Sequence, residues 1–363
     1  MKRQSDGPSR LLIIRLSSLG DVILAALLVR SLKNRYPKSA IDFLTREPYR
    51  PLLKAFPNLK DTWALERGCA SRRQLVKELV HRQYDAVIDL QNNLRSRALT
   101  ARLSPARVFR YHRPRLNRWL RINMPDSRPR LAVTPPVALG YLKAAGGLDV
   151  ADDSAGLELQ PPMDWVAAAA ESIGDYKRAA GLPLDSPTLI ATPGARHATK
   201  IWLPGRWSEM LTLAYNAGWQ SQIIVGSPAD AALGDEIQSQ LNHPILNLTG
   251  KTNLEQLTGI IASAAVFVGS DSGPMHLAAG VGTPVVAIFG PTVPEFGFAP
   301  FRCRSVIVQI GGLNCRPCHP HGPKRCPLGH FRCMSDISVP QVLAALHQAA
   351  PLPSRKNAAV EVE

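Results

Sequence analysis

Three short segments of this chain set a carboxylate, a lysine or a histidine beside glycine at spacings that suit chemistry, and a fourth gathers cysteines. The first reads Ser17-Ser18-Leu19-Gly20-Asp21. Gly20 permits a tight turn, and Asp21 falls where a helix begins, so its carboxylate could take a proton from an attacking hydroxyl as general base. The bland alternative is a helix cap, because acidic groups are favoured in the first turn. The second segment is PGARHATKIWLP, residues 193–204. Its backbone amides, Thr199 and Lys200 surround an anion-sized site ahead of a helix near Pro204. It is not a Walker loop, since GxxxxGK[ST] is absent, and a solvated basic loop is the alternative. The third, GSDSGPMH (269–276), puts Asp271, Ser272 and Gly273 at a helix start, where unpaired N–H groups favour phosphate. His276 lies a turn further on; taken alone, it suits core packing as well as ligand contact.

Cys315, Cys318, Cys326 and Cys333 fall within nineteen residues, with His319, His321 and His330 among them. In a reducing compartment four such thiolates suggest a structural zinc, yet the gaps of seven and six residues after Cys318 match no standard finger. Unligated thiols and redox pairing stand as the other readings.

Elements must position these groups. The apolar run 11–16 reads as a buried strand and 22–32 as a buried helix, the opening unit of an α/β sheet. Strands at 40–44 and 86–90 and helices at 71–82 and 94–103 continue it. Residues 104–160, rich in Pro, Arg and Gly, are left unassigned. A helix over 163–180 leads to a second alternating region, with strands at 188–192, 221–225, 244–248, 266–269 and 284–289. That alternation predicts doubly wound parallel sheets whose ligands bind outside the carboxyl ends of the strands. The expected domains are 10–165 and 180–335, with a helix at 336–349 returning to the first domain.

The chain has 363 residues, enough for two domains, and ordinary apolar and charged fractions of 45% and 20%. Its polar start and the lack of any run of roughly 18 apolar residues predict a cytoplasmic protein. Net charge is +15. The excess concentrates in residues 67–130, where 16 Lys and Arg face four acidic residues. Such a surface attracts phosphate-bearing partners, unless it is merely solvated.

Taken in order, RLSSLGD, PGARHATKIWLPGRW and SDSGPMHLAAGVGTPVVAIFGPT resemble glycosyltransferase family 9, which contains the ADP-heptose:lipopolysaccharide heptosyltransferases. The likeness spans roughly residues 10–345. It implies a GT-B fold, two Rossmann-like doubly wound domains facing across a cleft, with acceptor on the first and nucleotide sugar on the second. The implied roles are Asp21 as catalytic base, Lys200 as phosphate-binding lysine, and Thr199, Asp271, Ser272, Gly273 and His276 as further donor contacts. Asp230 stands where the family tends to carry an acidic group for the donor ribose, and is shorter than a glutamate. Ser18, Gly20, Arg95 and Arg97 are the expected acceptor contacts, the arginines because their forks suit the anionic groups of a lipopolysaccharide inner core.

No Asp-x-Asp occurs in the chain, so a metal-independent single displacement with inversion is expected, with no cofactor needed for catalysis. The implied partners are an ADP-sugar, a lipopolysaccharide inner-core acceptor and an anionic membrane surface at the inner face of the inner membrane. A different nucleotide sugar or glycan acceptor is the nearest alternative. A basic nucleic-acid-binding protein would explain the charge but not the three motifs, and the basic segment lacks interleaved aromatics for stacking bases. An epimerase or dehydrogenase is disfavoured by the absence of GxGxxG after the first strand.

Overall fold

The computed structural model describes residues 7–66 and 68–352. The first unit runs β1 (Arg10–Ile14), α1 (Leu19–Ile23), α2 (Ala26–Arg35), β2 (Ala40–Arg46), β3 (Thr62–Leu65), α3 (Cys69–His81), β4 (Ala86–Asp89), α4 (Leu94–Leu103), β5 (Arg107–Arg110), α5 (Arg115–Asn123) and α6 (Val137–Ala144). After the connector α7 (Met163–Ala179) come β6 (Thr188–Thr192), α8 (Pro204–Asn216), β7 (Ser221–Ile224), α9 (Ala231–Ser239), β8 (Leu246–Asn247) and α10 (Leu254–Ala262). The chain then continues through β9 (Val266–Ser270), α11 (Gly273–Val281), β10 (Val285–Phe289), β11 (Ser305–Gln309), α12 (Arg332–Ser335) and α13 (Val339–Ala349).

Both sheets are parallel, in the orders β3-β2-β1-β4-β5 and β11-β10-β9-β6-β7-β8. Strand order reverses between β1 and β4 in the first and between β6 and β9 in the second. Those reversal points are where doubly wound sheets open a ligand crevice. The inner strands are buried on both faces, which explains why they read as continuous apolar runs without alternation.

The two units meet along α1 and α11. A Cβ on Gly20 would lie 2.5 Å from His276 Cδ2, one on Gly273 2.8 Å from Leu19 Cδ2, and one on Gly280 2.8 Å from Leu159 Cδ1. Gly20 is therefore needed for close approach of the two helices, not for the tight turn expected of it: it lies buried within α1. One apolar core passes through this contact, joining Leu11, Val22 and Ile23 to Phe267, Met275 and Leu277.

Three expectations change. The unassigned residues 104–160 hold β5, α5 and α6, and the edge strands β3 and β11 were not anticipated. Both edge strands are only partly buried here, so their apolar signal is weak. The C-terminal helix does not return to the first domain: α13 packs on α8, β10 and β11, burying Val339, Val342 and Leu346 in the core of the second unit.

Candidate active site

A cleft of about 1170 Å³ opens between the carboxyl ends of the two sheets. It exceeds the roughly 300–1,000 Å³ usual for a single small ligand, which leaves room for two substrates. Loops after β1, β6, β9 and β10 supply its walls, and they include all three motifs.

Asp21 enters from the first unit. Its Oδ2 accepts from Ser18 N (3.0 Å) and Ser18 Oγ (2.9 Å), so the capping role and the cleft-facing role belong to the same carboxylate. Its Oδ1 lies 2.6 Å from Arg15 Nη2 and accepts from Tyr141 Oη at 3.1 Å. Burial works against ionisation, but the Arg15 charge and the Ser18 bonds outweigh it and hold Asp21 at about 2. The carboxylate is thus ionised at every physiological pH. Arg15 itself is buried, donates from Nη1 to Leu90 O (2.6 Å) and lies over the Tyr141 ring. Gln91, after β4, accepts from Leu16 N and Ser17 N and so shapes the loop across the reversal point.

Lys200 enters from the second unit. Its Nζ lies 2.6 Å from Asp271 Oδ2 and 3.1 Å from Asp271 O. The same Oδ2 accepts from Thr292 Oγ1 at 2.7 Å. Burial opposes the Asp271 charge, yet Lys200 and Thr292 hold its carboxyl below the usual range. Asp271 acts here as a holder of Lys200. Ser272 occupies the N-cap position of α11 without a side-chain cap bond, and its buried Oγ has no hydrogen-bond partner among the described residues, as is true of His276 Nδ1 and of Thr192 Oγ1 at the end of β6. Unpaired polar atoms lining one crevice are what a polar ligand would satisfy. Burial holds His276 neutral at pH 7.

Asp230 lines the cleft, with Oδ2 fixed by Ser227 N (2.9 Å) and Ser227 Oγ (2.6 Å). Gly194 makes room for it, since a Cβ there would fall 2.2 Å from Asp230 Cγ.

Not every expected residue reaches the cleft. Thr199 is buried and gives its hydroxyl to Pro323 O at 2.6 Å. Arg95 and Arg97 sit on the exposed face of α4, with Arg97 Nε bonded to Asn92 Oδ1 (2.8 Å), and neither lines the cleft. The arginines that do are Arg15, Arg113, Arg118 and Arg196. Arg118 is held by Phe296 O (3.0 Å) and stacks near Phe298, so an arginine from the unassigned region bridges to the second unit.

The four clustered cysteines lie in one segment, but the closed set of zinc ligands suggested by their spacing is not formed. Cys315 Sγ faces His330 Nε2 at 3.7 Å, Cys326 Sγ accepts from Phe331 N at 3.4 Å, and Cys333 is buried on α12. Among the described residues no group of three or more His, Cys, Asp or Glu is arranged to hold a metal ion. Burial, then the nearby Cys318, pushes the Cys333 thiol up to about 11.

Two parallel Rossmann-like sheets with a cleft between their carboxyl ends, a carboxylate on one wall and a lysine on the other, define a GT-B glycosyltransferase. The chain belongs to glycosyltransferase family 9 (heptosyltransferase), whose model matches residues 72–326. It is 30% identical over 365 residues to lipopolysaccharide heptosyltransferase 2 of Salmonella typhimurium, covering 93% of this chain and 97% of that one. Two solved structures share the fold. One, a family 9 glycosyltransferase from Veillonella parvula, has TM-score 0.75 at 21% identity, covering 94% and 97% of the two chains. The other, E. coli ADP-heptose lps heptosyltransferase II, has TM-score 0.72 at 24% identity, covering 93% and 97%.

Proposed function

We propose that the enzyme transfers heptose from ADP-heptose to the inner core of lipopolysaccharide by a single displacement with inversion. The observation that carries this is the placement of Asp21 and Lys200 on opposite walls of one cleft. Asp21 Oδ1, released from its longer bond to Tyr141, would receive the acceptor proton. A carboxylate held near 2 is a weak base. It suffices if the transition state is oxocarbenium-like, because the attacking hydroxyl then becomes acidic only as its bond to carbon forms.

On the opposite wall, Lys200 and the amides at the start of α11 would take up the charge appearing on the departing diphosphate. Preorganised groups of this kind are each worth roughly 3–4 kcal/mol of barrier. Asp230 would accept from the ribose. Arg113 and Arg118, in place of Arg95 and Arg97, suit an anionic acceptor group. The basic surface would hold the enzyme at the inner membrane face. No helix among the described residues is long and apolar enough to cross a membrane.

The test is a panel of nucleotide sugars incubated with a lipopolysaccharide inner-core acceptor, following nucleotide release and the anomeric configuration of the product. Turnover with ADP-heptose and an inverted product supports the reading. Preference for another nucleotide sugar would move the enzyme to a different substrate within the family.

A further inference from the structure

The cysteine-rich segment has no task in the mechanism above, yet it is fastened to the phosphate side of the cleft at two points. At one, Pro323 O accepts from Thr199 Oγ1, and Gly322 lies against the stem of Lys200. A Cβ on Gly322 would sit 3.2 Å from Lys200 Cγ, and its φ of 86° further favours glycine. At the other, Arg316 grips the turn after β10, donating to Gly290 O and to Thr292 O at 2.8 Å, and reaches Ile310 O, just past β11, at 3.1 Å. Thr292 in turn holds Asp271, which holds Lys200.

Between the anchors, Pro320 and His321 line the cleft. His321 N donates to His319 Nδ1 at 3.0 Å, which fixes the local turn. Although the residue is exposed as a whole, partial desolvation of its ring, followed by the charges of Arg118 and Lys200, holds it down to about 4. At neutral pH it is an uncharged imidazole with one N–H to give. That adds a hydrogen-bond donor to an anion site without adding to the repulsion among its cations.

We propose that His321, carried into the cleft by the cysteine-rich segment, donates a hydrogen bond to the diphosphate of the sugar nucleotide. The inference rests on the reading of the Lys200 wall as the diphosphate site. The diphosphate is favoured over an acceptor anion because the residues directly after His321 are fastened beside Lys200, Gly322 against its stem and Pro323 O to Thr199, whereas the segment's tie to the first unit, from Arg128 to Asn314 O and Arg316 O, lies further back along the chain.

The experiment is calorimetric titration of the full-length protein with ADP, for wild type, His321→Leu, His321→Gln and Lys200→Ala, with thermal melting beside each. A hydrogen bond to a charged group predicts that His321→Leu weakens ADP about 10-fold or more. His321→Gln, which keeps an N–H, should recover part of that loss, with melting near wild type in both. A merely structural histidine would give equal ADP affinities in the two folded variants, and that result would overturn the proposal. Unchanged ADP affinity with a raised acceptor KM would overturn it by assigning His321 to the other substrate. Should His321 variants bind ADP normally while Lys200→Ala does not, only this inference fails. Failure of wild type to bind ADP, or indifference to Lys200→Ala, would instead sink the donor-site reading beneath it.

Discussion

At the scale of single residues, the proposed mechanism turns on two ion pairs, Arg15–Asp21 and Lys200–Asp271, that are also structural. Asp21→Asn is expected to lower kcat by 10² to 10⁴ while leaving ADP affinity near wild type. Near-normal turnover in that variant would remove Asp21 from the mechanism. The substitution also strands the buried Arg15 guanidinium, and loss of one partner of a buried pair typically costs about 3–5 kcal/mol. Arg15→Met combined with Asp21→Asn should recover much of the lost stability and none of the activity, as separate melting and rate measurements would show. The sign of the pH effect follows from the depressed carboxyl. A group lowered from 3.8 to about 2 contributes roughly 2 kcal/mol that is fully present above about pH 4 and drains away as pH falls through 2. Acid unfolding of Asp21→Asn should lack that increment, and matching acid profiles would contradict the assignment. For Lys200→Ala, calorimetry should show weaker ADP binding, with an added fall in kcat if the lysine neutralises the departing phosphate. Unchanged affinity and turnover would return Lys200 to a structural role as the partner of Asp271.

At the scale of elements, the close approach of α1 and α11 is what turns two sheets into one site. Gly20→Ala would press a methyl group onto the His276 ring, and overpacking of this kind costs about 1–3 kcal/mol. The variant should melt earlier and turn over more slowly, and adding His276→Ala should restore melting more than rate. An Ala at position 20 with wild-type melting would show that the helices can part freely. The cleft-lining residues legible in the sequence are those whose placement is local. Asp21, Lys200, Asp271 and His276 each sit in a loop-to-helix junction that a short window contains. Arg15 and Tyr141, 126 positions apart, and Arg118, whose partner Phe296 lies 178 positions away, meet only through the fold. Arg95 and Arg97, expected as acceptor contacts, lie outside the cleft although they follow a strand that reaches it. The Asn93 cap starts α4 so that Ser96, Leu99, Thr100 and Leu103 face inward, which turns both arginines to solvent.

At the scale of the whole molecule, residues 118–152 work as a tie between the units. Arg302 pairs with Asp152 at 2.6 Å, Val137 N donates to Gly297 O, and Arg128 donates to Asn314 O and Arg316 O. That explains why the region resisted reading as a domain: its composition serves an interface. On the proposed function, this two-walled cleft transfers heptose using protein groups alone to neutralise the leaving diphosphate. The ground is the chain's lack of any Asp-x-Asp to hold a divalent ion, set against the position of Lys200 beside the start of α11. The most direct test is the initial rate of ADP release from ADP-heptose, in the presence of inner-core acceptor, with EDTA and with added Mg²⁺. Equal rates in the two conditions, with Asp21→Asn slowed at least 10²-fold in both, are the predicted result; a rate that vanishes in EDTA and returns with Mg²⁺ would contradict it.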